Sequence, residues 1–160
     1  MGVGVKHKNN PVLGVANTLT NIGDINRPEV LQAAILHDIV EYGHATFDDL
    51  ELGFGKEVAN IIREVTPVED GGTQTENSNL SQSAKELLLA DNLWYLTALD
   101  EKEARGVELT PEETQRFGQV AIEVSRYRGA NQYIEDMLDK LFIKRNAMVQ
   151  LQLEVVDLTT

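Results

Sequence analysis

Val30–Glu41 reads VLQAAILHDIVE, and the organisation of the whole chain turns on it. Pro28 stands just ahead of this apolar run and Gly43 just behind it, the start and stop signals of a helix. On a helix Glu41 falls i+4 from His37 and i+3 from Asp38, so an imidazole and two carboxylates share one edge of the rod. Such groups are costly to bury in an otherwise apolar helix unless something compensates them. A divalent metal is one partner, because neutral imidazole and carboxylate are its usual nitrogen and oxygen ligands. A partly exposed helix edge that carries the same residues is the other reading, and a His-Asp pair alone does not choose between them.

The chain has 160 residues, which implies one domain with room for a real core. Hydrophobic residues make up 42%, too many for a wholly disordered chain. Cysteine is absent, which excludes disulfides and thiolate metal sites and fits a reducing compartment. No apolar run approaches the roughly 18 residues of a membrane span. The start, MGVGVKHKNN, has basic residues without the apolar segment of a signal peptide, so cytoplasm or nucleus is the expected location. The net charge is −12, which makes nucleic acid a poor partner because phosphate contacts supply most of that affinity. A small anionic ligand would need a local cation, and a bound metal supplies one cheaply.

Around the central stretch the other elements read as helices. Val12, Val15, Ala16, Leu19 and Ile22 recur at helical spacing after Pro11. Thr46 to Asp49 is an N-cap with an acid three residues on, opening a short helix to about Leu52. Lys56 to Val65 follows, with Val58, Ile61, Ile62 and Val65 inward, and then a polar, glycine-containing segment, 66–82, that reads as a mobile loop. Ser83 begins a strong helix, SAKELLLADNLWYLTALDE, whose apolar surface is interrupted by Asp91. That Asp is either solvated or a carboxylate turned towards the His37–Asp38 pair, and the residues leave both open. Thr110-Pro111-Glu112-Glu113 starts a further helix to Arg128. Asn131 caps a last one to about Met148, with Ile134, Leu138, Leu141 and Phe142 buried. Val149 to Val155 alternates strictly, a strand pattern with no second strand to pair with, and is expected as a loose tail. The expectation is therefore an all-α bundle in one domain: residues 1–9 flexible, 10–148 folded, and 149–160 a tail.

The order of these motifs resembles the metazoan SpoT homologs, small single-domain HD hydrolases related to the hydrolase half of RelA/SpoT. AAILHDIVE, the segment from Thr46 to Thr66, LLLADNLWYL and YRGANQYIEDMLDKLF carry the resemblance, which runs from about Asn10 to about Ala147. The resemblance implies an HD bundle that holds one Mn²⁺ and removes pyrophosphate from the 3′ position of (p)ppGpp. NADPH 2′-phosphate is a further substrate described in the group. Matched residue by residue, His37, Asp38 and Asp91 fill metal positions, and Glu41 fills the first position of the Glu-Asp pair that handles the attacking water. Asn92 and Tyr95 fall among the residues expected against substrate.

The departures from the pattern are specific. Asn10 stands where the family has its first metal His, and Tyr42 where it has the Asp after the catalytic Glu. Asn92 replaces a Lys and Tyr95 a site Asn, and Lys6 and Lys8 are the remnants of a basic N-terminal helix, which reads as a truncated N-terminus. His7 is a conceivable substitute ligand ahead of Pro11. An Asn amide oxygen is a weaker donor to Mn²⁺ than imidazole, so weak metal binding is expected. Two functions follow. One is a metal-dependent hydrolase of a small nucleotide with reduced activity. The other is a pseudoenzyme or binding protein that kept the bundle and lost turnover. The oligomeric state is not legible.

Overall fold

The computed structural model describes residues 11–67 and 79–159. The flexible segment expected at 1–9, with Lys6, His7 and Lys8, lies outside the described residues, as do Asn10 and most of the expected loop. Among the described residues the chain is helical throughout, as expected. The helices are α1 (Pro11–Asn21), α2 (Pro28–Glu41), α3 (Phe47–Phe54), α4 (Lys56–Val65), α5 (Gln82–Ala104), α6 (Pro111–Val124) and α7 (Gln132–Thr159), with a 3₁₀ turn at Ser125–Tyr127.

α5 is the axis of the bundle, because α1, α2, α4, α6 and α7 all pack on it. A helix surrounded in this way must be apolar on several faces rather than along one stripe. Leu87, Leu89, Ala90, Leu93, Leu96 and Leu99 accordingly point in different directions and are all buried. Close approach is secured by small residues: Ala33 and Ala34 on α2, Ala59 on α4 and Ala90 on α5 are wholly buried. α1 and α5 approach closely, since a Cβ added to Gly14 would come within 2.6 Å of Trp94 Cε2 and closer still to two other indole atoms.

The ends of the elements are fixed by the residues expected to fix them. At Thr46 the hydroxyl accepts from the Asp49 amide at 3.1 Å, and the Asp49 carboxylate accepts from the Thr46 amide at 2.9 Å. Thr110 and Glu113 make the same reciprocal cap on α6, and Lys102 Nζ lies 2.9 Å from the Glu113 carboxylate. Asn131 caps α7 through the Ile134 amide at 3.1 Å and also donates to the Gly23 carbonyl at 2.9 Å, which ties the α1–α2 turn to α7.

Two boundaries differ from expectation. α6 gives way at Val124 to the 3₁₀ turn instead of running on to Arg128, a common tightening of a last helical turn. More substantially, α7 does not stop near Met148: its backbone remains helical to Thr159, so the alternating stretch Val149–Val155 is neither strand nor loose tail. Gln, Leu and Glu are good helix formers. An already nucleated helix also extends at the cost of fixing one residue per hydrogen bond, whereas a lone strand has no partner. Leu141 and Phe142 are only partly buried.

Candidate active site

The site begins at the C-terminal half of α2, where the chain turns a polar edge away from the buried Val30, Ala33 and Ala34. His37 Nδ1 lies 2.8 Å from the carbonyl of Ala34, one turn back, so that nitrogen donates and fixes the ring. Nε2 then faces Asp38 Oδ1 at 3.1 Å. Either Nε2 carries a second proton and the pair is imidazolium–carboxylate, or a lone pair faces a carboxylate oxygen, an arrangement that a cation satisfies. A backbone hydrogen bond that orients the far ring nitrogen is the usual support of a metal-binding imidazole. Both side chains are accessible, at 13% for His37 and 31% for Asp38.

Asp91 approaches from the second helix. Burial pushes its carboxyl above the ordinary range. The charge of His37 pulls it back down, Asp38 and then Glu123 push it up, and Arg116 pulls it down. Asp91, far from His37 and Asp38 in sequence, therefore senses the charge of both. A carboxylate so placed is partly buried and within reach of the pair's charge.

As a complete metal centre, however, the described residues do not fit: no three His, Asp or Glu side chains among them group closely enough to hold one ion. Of the expected set, His37 and Asp38 form a close pair, and Asp91 senses their charge without completing a three-ligand group. Asn10, at the position of a fourth ligand, lies outside the described residues.

The remaining expected residues divide. Glu41 is the last residue of α2 and is exposed, free to orient towards a ligand at the His37–Asp38 edge. Tyr42 follows as the C-cap, 71% exposed, with its amide donating to the Asp38 carbonyl at 3.0 Å. Tyr95, one turn after Asp91, lines a cavity of about 300 Å³ with Trp94, Ala98, Lys102 and Arg105. Asn92 is 5% exposed and its amide donates to the Leu88 carbonyl at 3.0 Å, so most of its side chain belongs to the interior of α5. A larger cavity of about 690 Å³ runs along α4 by Lys56 and Asn60 to Ser81, and none of the site residues lines it.

α6 was expected as a helix, but none of its residues was expected at the site. Arg116 and Glu123, the two α6 charges that act on Asp91, flank the buried stripe Phe117, Val120 and Val124 and lie two turns apart on one face. That spacing was the available signal: charges seven residues apart beside an apolar stripe face the same neighbour.

A helical bundle with a His-Asp pair on one helix and an Asp facing it from the axial helix is the architecture of the HD class of hydrolases. No family model matches the chain. It is 39% identical over 148 residues to the guanosine-3′,5′-bis(diphosphate) 3′-pyrophosphohydrolase MESH1 of Xenopus tropicalis, covering 88% of this chain and 82% of that one. It is 34% identical over 154 residues to the Homo sapiens protein of the same name, covering 91% and 84%. The solved structure of a metazoan ortholog of SpoT that hydrolyses ppGpp superimposes with a TM-score of 0.73 at 34% identity, over 86% of this chain and 81% of that one. A protein from Listeria monocytogenes EGD-e shares the fold, with a TM-score of 0.60 at 22% identity, over 83% and 99% of the two chains. The chain belongs to the MESH1 family of metazoan SpoT orthologs. The recognition of the family and of its all-α HD fold from sequence is borne out.

Proposed function

We propose that this chain hydrolyses the 3′-pyrophosphate ester of (p)ppGpp, more slowly than a family member with the full ligand set. The reading is supported by the close His37–Asp38 pair on α2, by its charge acting on Asp91 of α5, and by relatives named for this reaction. In the proposed reaction a water adds to the phosphorus attached to the ribose O3′, the bond from that phosphorus to O3′ breaks, and O3′ takes a proton. The products are a 3′-hydroxyl nucleotide and pyrophosphate. Glu41, exposed beside the His37–Asp38 edge, orients the water and accepts its proton. Tyr42 supplies no second carboxylate, so this work falls on Glu41 alone. A positioned acid–base group contributes about 10²–10⁴-fold, which sets the scale of the loss.

Mn²⁺ is the proposed ion, bound weakly, with His37 and Asp38 as its anchors. Because the described residues form no three-ligand group, no step of the reaction is assigned to it. NADPH 2′-phosphate is the second candidate substrate and takes the same assay. The competing reading, a bundle that binds the nucleotide without turnover, is favoured by the lack of a three-ligand group among the described residues.

Release of pyrophosphate from ppGpp, followed with purified protein at millimolar Mn²⁺, separates the two. The hydrolase reading predicts slow release that His37→Ala abolishes. Release at the buffer rate, or equal release by the variant, overturns it.

A further inference from the structure

An anionic nucleotide meets an unfavourable field on this chain, which carries 26 Asp and Glu against 14 Lys and Arg. The site itself adds Asp38, Glu41, Asp91 and Glu123. Some cation has to offset these charges, and the basic residues differ in how far they are committed. Arg145 holds both carboxylate oxygens of Glu103 at 3.0 Å. Arg128 holds those of Asp139 at 3.0 and 2.6 Å, and Arg27 reaches Glu86 at 2.6 Å. Lys102 is taken by Glu113 and Lys144 by Asp100.

Arg116 is held loosely by comparison. Its guanidinium reaches Gln119 Oε1 at 3.5 Å and Glu123 at 3.8 Å, with its side chain 39% exposed. It lies 5.9 Å from the centroid of the Tyr95 ring, and Tyr95 follows Asp91 by one turn of α5, on the same edge. A guanidinium in that place faces the side of the bundle where α2 and α5 bring their site residues together. Its planar fork matches a pair of phosphate oxygens, which a lysine ammonium does not.

We propose that Arg116 is the substrate-anion contact of this site: its guanidinium, seated over Tyr95 at the α5–α6 junction, binds a phosphate of the nucleotide. The assignment rests on the reading of the site as a pyrophosphate-ester site. It makes Arg116 a specificity residue for phosphorylated ligands rather than a member of the proton-transfer machinery. On binding, the guanidinium exchanges the long contacts to Gln119 and Glu123 for a bidentate one.

The test is equilibrium binding of ppGpp and, separately, of inorganic pyrophosphate, to the wild-type chain, Arg116→Gln and Arg116→Lys, with melting temperatures alongside. Loss of a charge-assisted bidentate contact predicts weakening of about tenfold or more for both anions in Arg116→Gln. Arg116→Lys is expected to recover part of it, the wild-type salt dependence to shrink in Arg116→Gln, and all three melting temperatures to agree. Arg116→Gln binding both anions within twofold of wild type overturns the assignment. So does weakening that Arg116→Lys leaves unimproved while the melting temperature falls, since that is the signature of a structural role. Wild-type binding of pyrophosphate but not ppGpp overturns the proposed substrate, and the pyrophosphate comparison still decides Arg116. Wild-type binding of neither anion overturns both.

Discussion

Gly14→Ala tests how α1 is seated on the axial helix. The added methyl would fall on the Trp94 indole, within 2.6 Å of Cε2, closer than real Cβ contacts come, so the ring or the helix must move. Forcing an extra carbon into a packed contact costs about 1–3 kcal/mol, and the three overlapping ring atoms place this case near the upper figure. Against that, alanine inside a helix gains up to about 1 kcal/mol over glycine. The balance is a destabilisation of about 2 kcal/mol, and at about 2–4 °C per kcal/mol for a domain of this size the melting temperature should fall by about 4–8 °C. Trp94 is the only tryptophan, so its fluorescence reports the displacement directly. The emission maximum should move to the red as the half-buried ring is driven outward. A melting temperature within a degree of wild type, with unchanged emission, would show that α1 and α5 are not in the contact described.

Asp91→Asn, in metal-free buffer, should raise the melting temperature at neutral pH. The Asp91 carboxyl is raised above its unfolded value, so between 3.8 and that raised value the folded state holds the extra proton and stability falls as pH rises. The advantage of the amide should therefore disappear below about pH 3.8, and an advantage that persists there in thermal melts would refute the burial argument. Arg27→Ala leaves the 5%-exposed Glu86 without its cation. A fully buried partner would cost about 3–5 kcal/mol, and the 49% exposure of Arg27 lowers the expectation to about 1–2 kcal/mol in urea unfolding. Adding Glu86→Gln should recover part of the loss, and no recovery would place the damage elsewhere. Thr110→Ala, which removes one half of the α6 capping box, should cost about 1 kcal/mol by the same measurement.

The helices were legible where local chemistry specifies their ends. Thr46 with Asp49, Thr110 with Glu113, and Pro28 all sit where their residue types place them, because a cap is decided within four residues. The 149–155 stretch misled because a period of two is only a pattern, and the nucleated helix behind it decides the outcome. The site was legible only as far as adjacency reaches. His37, Asp38 and Glu41 share one helix, and the position of Asp91 opposite them follows from the family order of motifs. The burial of Asn92 depends on how the bundle closes around α5, and the intrusion of Arg116 and Glu123 on how α6 lies against it, which no short window of sequence encodes.

If Asn10 and Tyr42 deplete a hydrolase site, as proposed, the initial rate of pyrophosphate release from ppGpp shows it most directly when wild type is compared with the double variant Asn10→His/Tyr42→Asp. Restoring an imidazole ligand and a second carboxylate should raise the rate at least tenfold over a slow wild type at the same Mn²⁺ concentration. A double variant that releases pyrophosphate no faster than wild type would contradict the account.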